Sequence, residues 1–194
     1  MLRAVRLRSV VVLAFCALAC GAGCSSSNDA EGAAPGPTAN GSLLAYPVDQ
    51  VGPFVVGYRT WPLTYTTPFG EQRTVAMHVW YPASAKTDTT PVYRTIFADK
   101  DVFVDAPLAP PVEAAGYPVH VYSHGNPGFG GASADLMHHF ASHGWVAVAP
   151  DHTGNIFPDN PPALPPPVYY LRSADISAVL NALETLPPSD PLSG

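Results

Sequence analysis

The sequence predicts an α/β fold: an N-terminal antiparallel hairpin, then strand, helix, strand and helix of a mostly parallel sheet. Three observations predict it. Val55 to Thr66 and Thr74 to Tyr81 are rich in strand-type residues, and Val75, Met77, Val79 and Tyr81 alternate with Thr74, Ala76, His78 and Trp80. His120 to Asn155 passes from an apolar strand through a glycine-rich turn and a helical pattern into a second apolar strand. Ser173 to Leu186 sets Ile176, Val179, Leu180, Leu183 and Leu186 on one helical stripe, with Pro187-Pro188 as its stop.

The hairpin turn falls at Pro68-Phe69-Gly70-Glu71, which has turn chemistry. From Ala83 to Gly116 no period is sustained, so this is a long surface excursion with one short strand or helix near Val92 to Val104. Val119 to Tyr122 is apolar enough to be buried on both faces, as in a sheet covered by helices. Four glycines follow within Gly125 to Gly131, where they allow backbone angles that other residues resist and leave amide N–H groups uncovered. Ser133 suits a helix N-cap, Leu136, Met137 and Phe140 share a helical face, and Gly144 suits the C-terminal cap. Trp145 to Ala149 is a second buried-type strand, and strand, helix, strand at this spacing makes a parallel pair. A Pro-rich loop then leads to the last helix, with Asp175 in its first turn.

With 194 residues, 47% of them hydrophobic, the chain can bury the core of one domain. Its charge is acidic: setting aside Arg3, Arg6 and Arg8 leaves 6 Lys+Arg against 15 Asp+Glu, a net −9. That balance argues against nucleic acid as a partner. Those three arginines precede an apolar run, Val10 to Ala19, too short to span a bilayer, which reads as an export signal. Small residues before Cys24 and Ser25-Ser26-Ser27 after it resemble a bacterial lipoprotein signal, with Cys24 as the first, lipidated residue. Cys20 is the rival site, and ordinary secretion the alternative. The organisation is therefore residues 1–24 as signal segment, 25–42 as a flexible Gly/Ala/Pro/Ser tether and 43–194 as the folded domain. All three cysteines (Cys16, Cys20, Cys24) lie in the first segment, so the domain holds no disulfide, cysteine nucleophile or thiolate metal site.

Ser123-His124-Gly125, Ala141 to Asn155 (ASHGWVAVAPDHTGN) and Arg172 to Leu183 (RSADISAVLNAL), preceded by Trp80-Tyr81-Pro82, resemble the α/β-hydrolase superfamily. The resemblance is to predicted dienelactone hydrolases and platelet-activating-factor acetylhydrolase-like esterases, and it covers roughly Val51 to Gly194. It implies a partial α/β-hydrolase fold that stops before the nucleophile elbow, and an exported serine hydrolase of carboxylic esters, lipid acyl ester or lactone-like. It implies that the backbone N–H of Asn126 faces the oxyanion, with His124, Gly125 and Gly128 supporting the loop. No serine lies in a Gly-x-Ser-x-Gly elbow. Gly131-Ala132-Ser133-Ala134-Asp135 lacks the second glycine and follows the wrong strand, so Ser133 is a helix cap. The chain is expected to be an N-terminal portion without its Ser-Asp-His triad, inactive alone. The alternative is a non-catalytic surface lipoprotein or binding module keeping half the fold.

The other polar residues have plainer readings. His124 orients the oxyanion loop through a hydrogen bond, and Asp151-His152 shape the loop beyond their strand. Arg172 and Asp175, three apart on one helix face, read as a local ion pair or as partners of the helix dipole. His139 and His143 have the i, i+4 spacing of a metal pair, but no glutamate stands between them, and no metal or cofactor is expected. The partners expected are a small-molecule or lipid ester and, through the anchor, a membrane of the cell envelope. Mass spectrometry of the mature amino terminus is expected to find a diacylglycerol adduct on Cys24; a water-soluble product beginning elsewhere would exclude the anchor.

Overall fold

The computed structural model describes residues 46–112, 116–158 and 167–193. The signal segment, its cysteines including Cys24, and the tether lie outside the described residues. The elements are β1 (Val55–Thr66), β2 (Gln72–Ala83), β3 (Val92–Tyr93), β4 (Phe97–Ala98), β5 (Val102–Val104), β6 (Val119–Val121), α1 (Ala134–Ser142), β7 (Val146–Asp151) and α2 (Pro167–Glu184). Five strands form one sheet in the order β5-β1-β2-β7-β6, and β3 and β4 pair separately.

β1 and β2 pair antiparallel from Val55↔Ala83 to Thr66↔Gln72, so the hairpin closes over the expected turn. Thr67 ties that turn by donating its N–H to the Glu71 carbonyl (2.8 Å) and accepting at Oγ1 from the Phe69 and Glu71 amides. β7 is antiparallel to β2 and parallel to β6, and β5 is parallel to β1. Thus β1, β5, β6 and β7 run one way and β2 the other. β2 is the central strand, buried on both faces from Met77 to Ala83.

Alternation along β2 divides the core in two. His78 and Trp80 face the α1 side, where Val56, Tyr58, Tyr93, Phe129, Met137, Ala141, Ala147 and Ala149 pack around Trp80. Met77, Val79 and Tyr81 face the α2 side with Val146, Val148 and Val179. The result is a three-layer α/β arrangement, one helix on each face, as expected for strands apolar on both sides. No helix among the described residues is long and apolar enough to cross a membrane.

Several expectations are corrected. The excursion from Ala83 to Gly116 carries three short strands rather than one, and β5 returns into the sheet beside β1. β6 is an edge strand among the described residues, not one buried on both faces: Val119 is 37% exposed and His120 to Tyr122 are half-buried. Ser133 is at the α1 N-cap position but makes no side-chain cap bond, because a 3-10 turn over Gly130–Ser133 leads directly into the helix. Met137 is buried and Phe140 half-buried, yet Leu136 is exposed. Gly144 has φ +91, a left-handed conformation suited to the residue ending α1. α2 begins at Pro167, six residues before the apolar stripe, since proline is well accommodated in a helix's first turn. Asp175 is therefore mid-helix and buried, not in the first turn.

Gly57 and Tyr81 show how tightly the hairpin is packed. They are register partners, and a Cβ on Gly57 would lie 2.3 Å from the Tyr81 ring. That ring is buried and its hydroxyl donates to the Ala106 carbonyl at 2.8 Å, so it cannot step aside freely. Gly57→Ala is expected to destabilise the fold by about 1–3 kcal/mol through overpacking, read as a lower urea midpoint with an unchanged denaturant slope.

Candidate active site

The carboxyl ends of β6 and β7 lie side by side, since the two strands are parallel neighbours. In open α/β sheets this edge is where ligands are held. The Tyr122 N–H still donates to the Val148 carbonyl at 2.8 Å, after which Ser123 to Asn126 leave the sheet as an exposed loop around a buried His124.

His124 is the loop's internal post. Its Nε2 accepts the His152 N–H at 3.1 Å, so the ring proton sits on Nδ1, which donates to the Gly125 carbonyl at 2.8 Å. Gly128 makes this possible by close approach: a Cβ there would fall 2.9 Å from both His124 Nδ1 and the Gly125 carbonyl oxygen. The expectation of unusual glycine backbone angles is corrected. None of Gly125, Gly128, Gly130 and Gly131 is among the positive-φ residues; the last three leave room for neighbouring groups, and Gly125 faces open space.

Asn126 is exposed, and its backbone N–H makes no hydrogen bond among the described residues. Its side chain, by contrast, is held. Asn155 Nδ2 donates to Asn126 Oδ1 at 2.7 Å, and Arg172 Nη1 donates to Asn155 Oδ1 at 2.8 Å. Arg172 Nη2 donates to Ser123 Oγ at 3.0 Å and to the His124 carbonyl. One guanidinium from α2 thus grips the loop directly at Ser123 and His124 and, through Asn155, at Asn126. The expected Arg172–Asp175 ion pair is not made, because each side chain is engaged by partners from other elements.

Asp175 faces the sheet. Oδ2 accepts from His152 Nδ1 at 2.8 Å and Arg73 Nη2 at 2.9 Å, while Oδ1 accepts from Arg73 Nε at 2.7 Å and the Tyr65 hydroxyl at 2.6 Å. With its proton on Nδ1, His152 accepts at Nε2 from Ser123 Oγ, 2.8 Å away. Ser123, His152 and Asp175 therefore stand in the order and at the distances of a serine–histidine–carboxylate relay, with Ser123 exposed and the other two fully buried. Sequence reasoning did not join them. The signal was Asp175 itself, a carboxylate on the same helical stripe as the buried Val168 and Val179.

Asp151, expected to shape the loop beyond its own strand, instead fastens the glycine turn that follows β6. Its Oδ1 accepts the Gly130 N–H at 2.6 Å, and Arg94 Nη1 reaches Oδ2 at 3.3 Å. Oδ1 also lies 3.3 Å from His78 Nε2, whose ring accepts or donates at Nδ1 with the Tyr58 hydroxyl, 2.6 Å away. Among the described residues no group of three or more His, Cys, Asp or Glu could hold a metal. The His139 and His143 rings lie 4.7 Å apart, but His143 Nε2 is engaged with the Gln50 carbonyl at 2.9 Å.

No protein-family model matches the chain, and no curated protein matches it. Among solved structures the chain is similar to a ferulic acid esterase from Streptomyces cinnamoneus, at 21% identity and a TM-score of 0.48. The likeness covers 75% of this chain and 50% of the esterase, so the chain spans about half that protein's length.

Burial drives the electrostatics of the site. It pushes the His124 imidazolium down to about 4, with the hydrogen bond to the Gly125 carbonyl opposing and the Arg172 charge adding to burial. His152 is lowered for the same reason, with Arg172 and Arg73 adding to burial and Asp175 opposing. For Asp175 burial pushes the carboxyl up, but the hydrogen bonds from His152, Arg73 and Tyr65 outweigh it and hold the group below the ordinary range. His124 is thus neutral in the fold above about pH 4, while an unfolded chain protonates it below about 6.5. Its contribution to stability is complete above about pH 6.5 and is lost as pH falls toward about 4, and the lowered His152 acts in the same direction. Urea unfolding between pH 7.5 and 4.5 is expected to show stability falling below about pH 6.5 with a slope of about 1.4 kcal/mol per pH unit from His124, the slope for one proton taken up on unfolding; a flat profile would contradict the assignment.

Proposed function

We propose that this chain carries the oxyanion side of a carboxylic-ester hydrolase, exported and held at the cell envelope through Cys24. The observation that carries the reading is the Asn126 N–H, unpartnered among the described residues on a loop gripped by Arg172 and Asn155. A main-chain amide left without an internal acceptor, beside strand carboxyl ends, is available to a ligand oxygen. When a nucleophile attacks an ester carbonyl, negative charge develops on that oxygen. A fixed donor stabilises it more than the neutral ester, which lowers the barrier by a few kcal/mol. The resemblance of the Ser123 to Gly125, Ala141 to Asn155 and Arg172 to Leu183 segments to ester hydrolases supports the same assignment. The substrate class is a small-molecule or lipid ester, and the nucleophile is a serine of an elbow outside the described residues.

The test is on the complete gene product. It is expected to hydrolyse p-nitrophenyl butyrate, and Arg172→Ala is expected to lower kcat by on the order of 10²-fold, with KM changed only a few-fold, as when an oxyanion donor is displaced. Absence of hydrolysis, together with a reading frame holding no Gly-x-Ser-x-Gly elbow after residue 194, would defeat the proposal and leave a binding module.

A further inference from the structure

We propose that Ser123, His152 and Asp175 form a positioning relay that fixes the oxyanion loop, with Ser123 anchoring the loop to His152 rather than attacking substrate. What the relay aims, the Asn126 amide, rests on the ester-hydrolase reading above. Taken alone, the two 2.8 Å contacts and the exposed Ser123 would fit a hydrolytic triad. The groups around them point elsewhere.

In a working triad the carboxylate stabilises the imidazolium that forms when histidine takes the serine proton. Asp175 is already engaged. Arg73 contacts both carboxylate oxygens, at 2.7 and 2.9 Å, and the Tyr65 hydroxyl adds a third donor at 2.6 Å. A permanent cation therefore neutralises the carboxylate before any reaction begins. A second permanent cation, Arg172, donates to Ser123 Oγ at 3.0 Å from the other end of the relay. Protonating His152 would put a third positive charge between two guanidiniums in a fully buried position, and the imidazole is accordingly held below its ordinary basicity. The backbone adds a separate argument. Hydrolase nucleophiles on this type of sheet sit on a strained strand-to-helix turn. Among the described residues the positive-φ positions other than glycine are Arg94, Thr95 and Asp105, so Ser123 lacks that strain.

What the relay accomplishes follows from its ends. His152 receives Ser123 at Nε2 and gives its own N–H to His124 Nε2, so one buried residue ties two successive loop residues. Its Nδ1 then passes the load to Asp175 on α2, which Arg73 and Tyr65 fix to β2 and β1. Every donor in the chain meets an acceptor while His152 is neutral. The loop thereby takes its position from three separate elements.

The experiment combines peptide mapping with backbone dynamics on the full chain. After treatment with a fluorophosphonate, no adduct is expected on the Ser123 peptide; an adduct there would overturn the proposal while leaving a hydrolase reading intact. Amide order parameters for residues 123–126 are expected near the rigid level of about 0.85 in the unchanged protein, below about 0.6 in Ser123→Ala, and restored in Ser123→Thr, which keeps the hydroxyl. A loop equally rigid in Ser123→Ala would overturn the positioning role, whether or not the protein proves to be an esterase. If ester hydrolysis is detected, Ser123→Ala is expected to lower kcat about tenfold, against a loss above roughly 10⁴-fold for removal of a nucleophile.

Discussion

The Asp175 carboxylate is the point through which the described parts of this domain are joined. A charge taken out of water costs several kcal/mol unless it is met by donors and an opposite charge. Here the donors come from three directions: Arg73 on β2, Tyr65 on β1 and His152 just beyond β7. α2 makes a modest apolar contribution of its own, since Val168 and Val179 are its only fully buried hydrophobic residues. The polar cluster, more than the apolar stripe, therefore sets where that helix sits along the sheet. Truncating a single partner would leave an uncompensated group inside, which is why such clusters are rigid once complete.

That rigidity is passed to the loop by two routes. The relay through His152 holds the loop from beneath, and Arg172, one turn earlier on α2, holds it from the side through Ser123, the His124 carbonyl and Asn155. Both routes start on the same helix. A movement of α2 would shift both together, keeping the loop's shape while changing its place over the sheet. Asp151 acts differently, since its bond to the Gly130 N–H anchors the far end of the glycine turn to β7 itself.

Much of the framework was legible from periodicity. β1, β2, α1 and β7 are long enough for an alternating or helical pattern to rise above local noise. The short strands β3, β4 and β5, of two or three residues each, carry no period, so the excursion beyond Ala83 could not be resolved. The start of α2 was hidden by its prolines, and misplacing it turned Asp175 from a buried mid-helix carboxylate into an ordinary first-turn residue. The site was harder still. His124, Gly128 and Asn126 could be singled out because they lie within one turn. The contacts of Ser123 with His152 and of His152 with Asp175 span 29 and 23 residues and exist only once the sheet and α2 have assembled. The glycine reading was half right in kind: at Gly128 the need is for absent side-chain volume, not for an unusual backbone angle.

The way the chain enters the domain gives the molecule a polarity. Gly52 donates to Ser142 Oγ at 2.9 Å and Phe54 to the Ser142 carbonyl at 3.1 Å, so the approach to β1 is pinned beneath the end of α1. β1 runs parallel to β7, which places that entry at the amino ends of the strands, whereas Ser123 to Asn126 lie beyond their carboxyl ends. The six residues of β7 separate the two edges by roughly 20 Å. The loop over the carboxyl ends is thus left clear of the segment by which the chain enters, so a ligand reaching Ser123 to Asn126 does not meet Gly52 to Phe54.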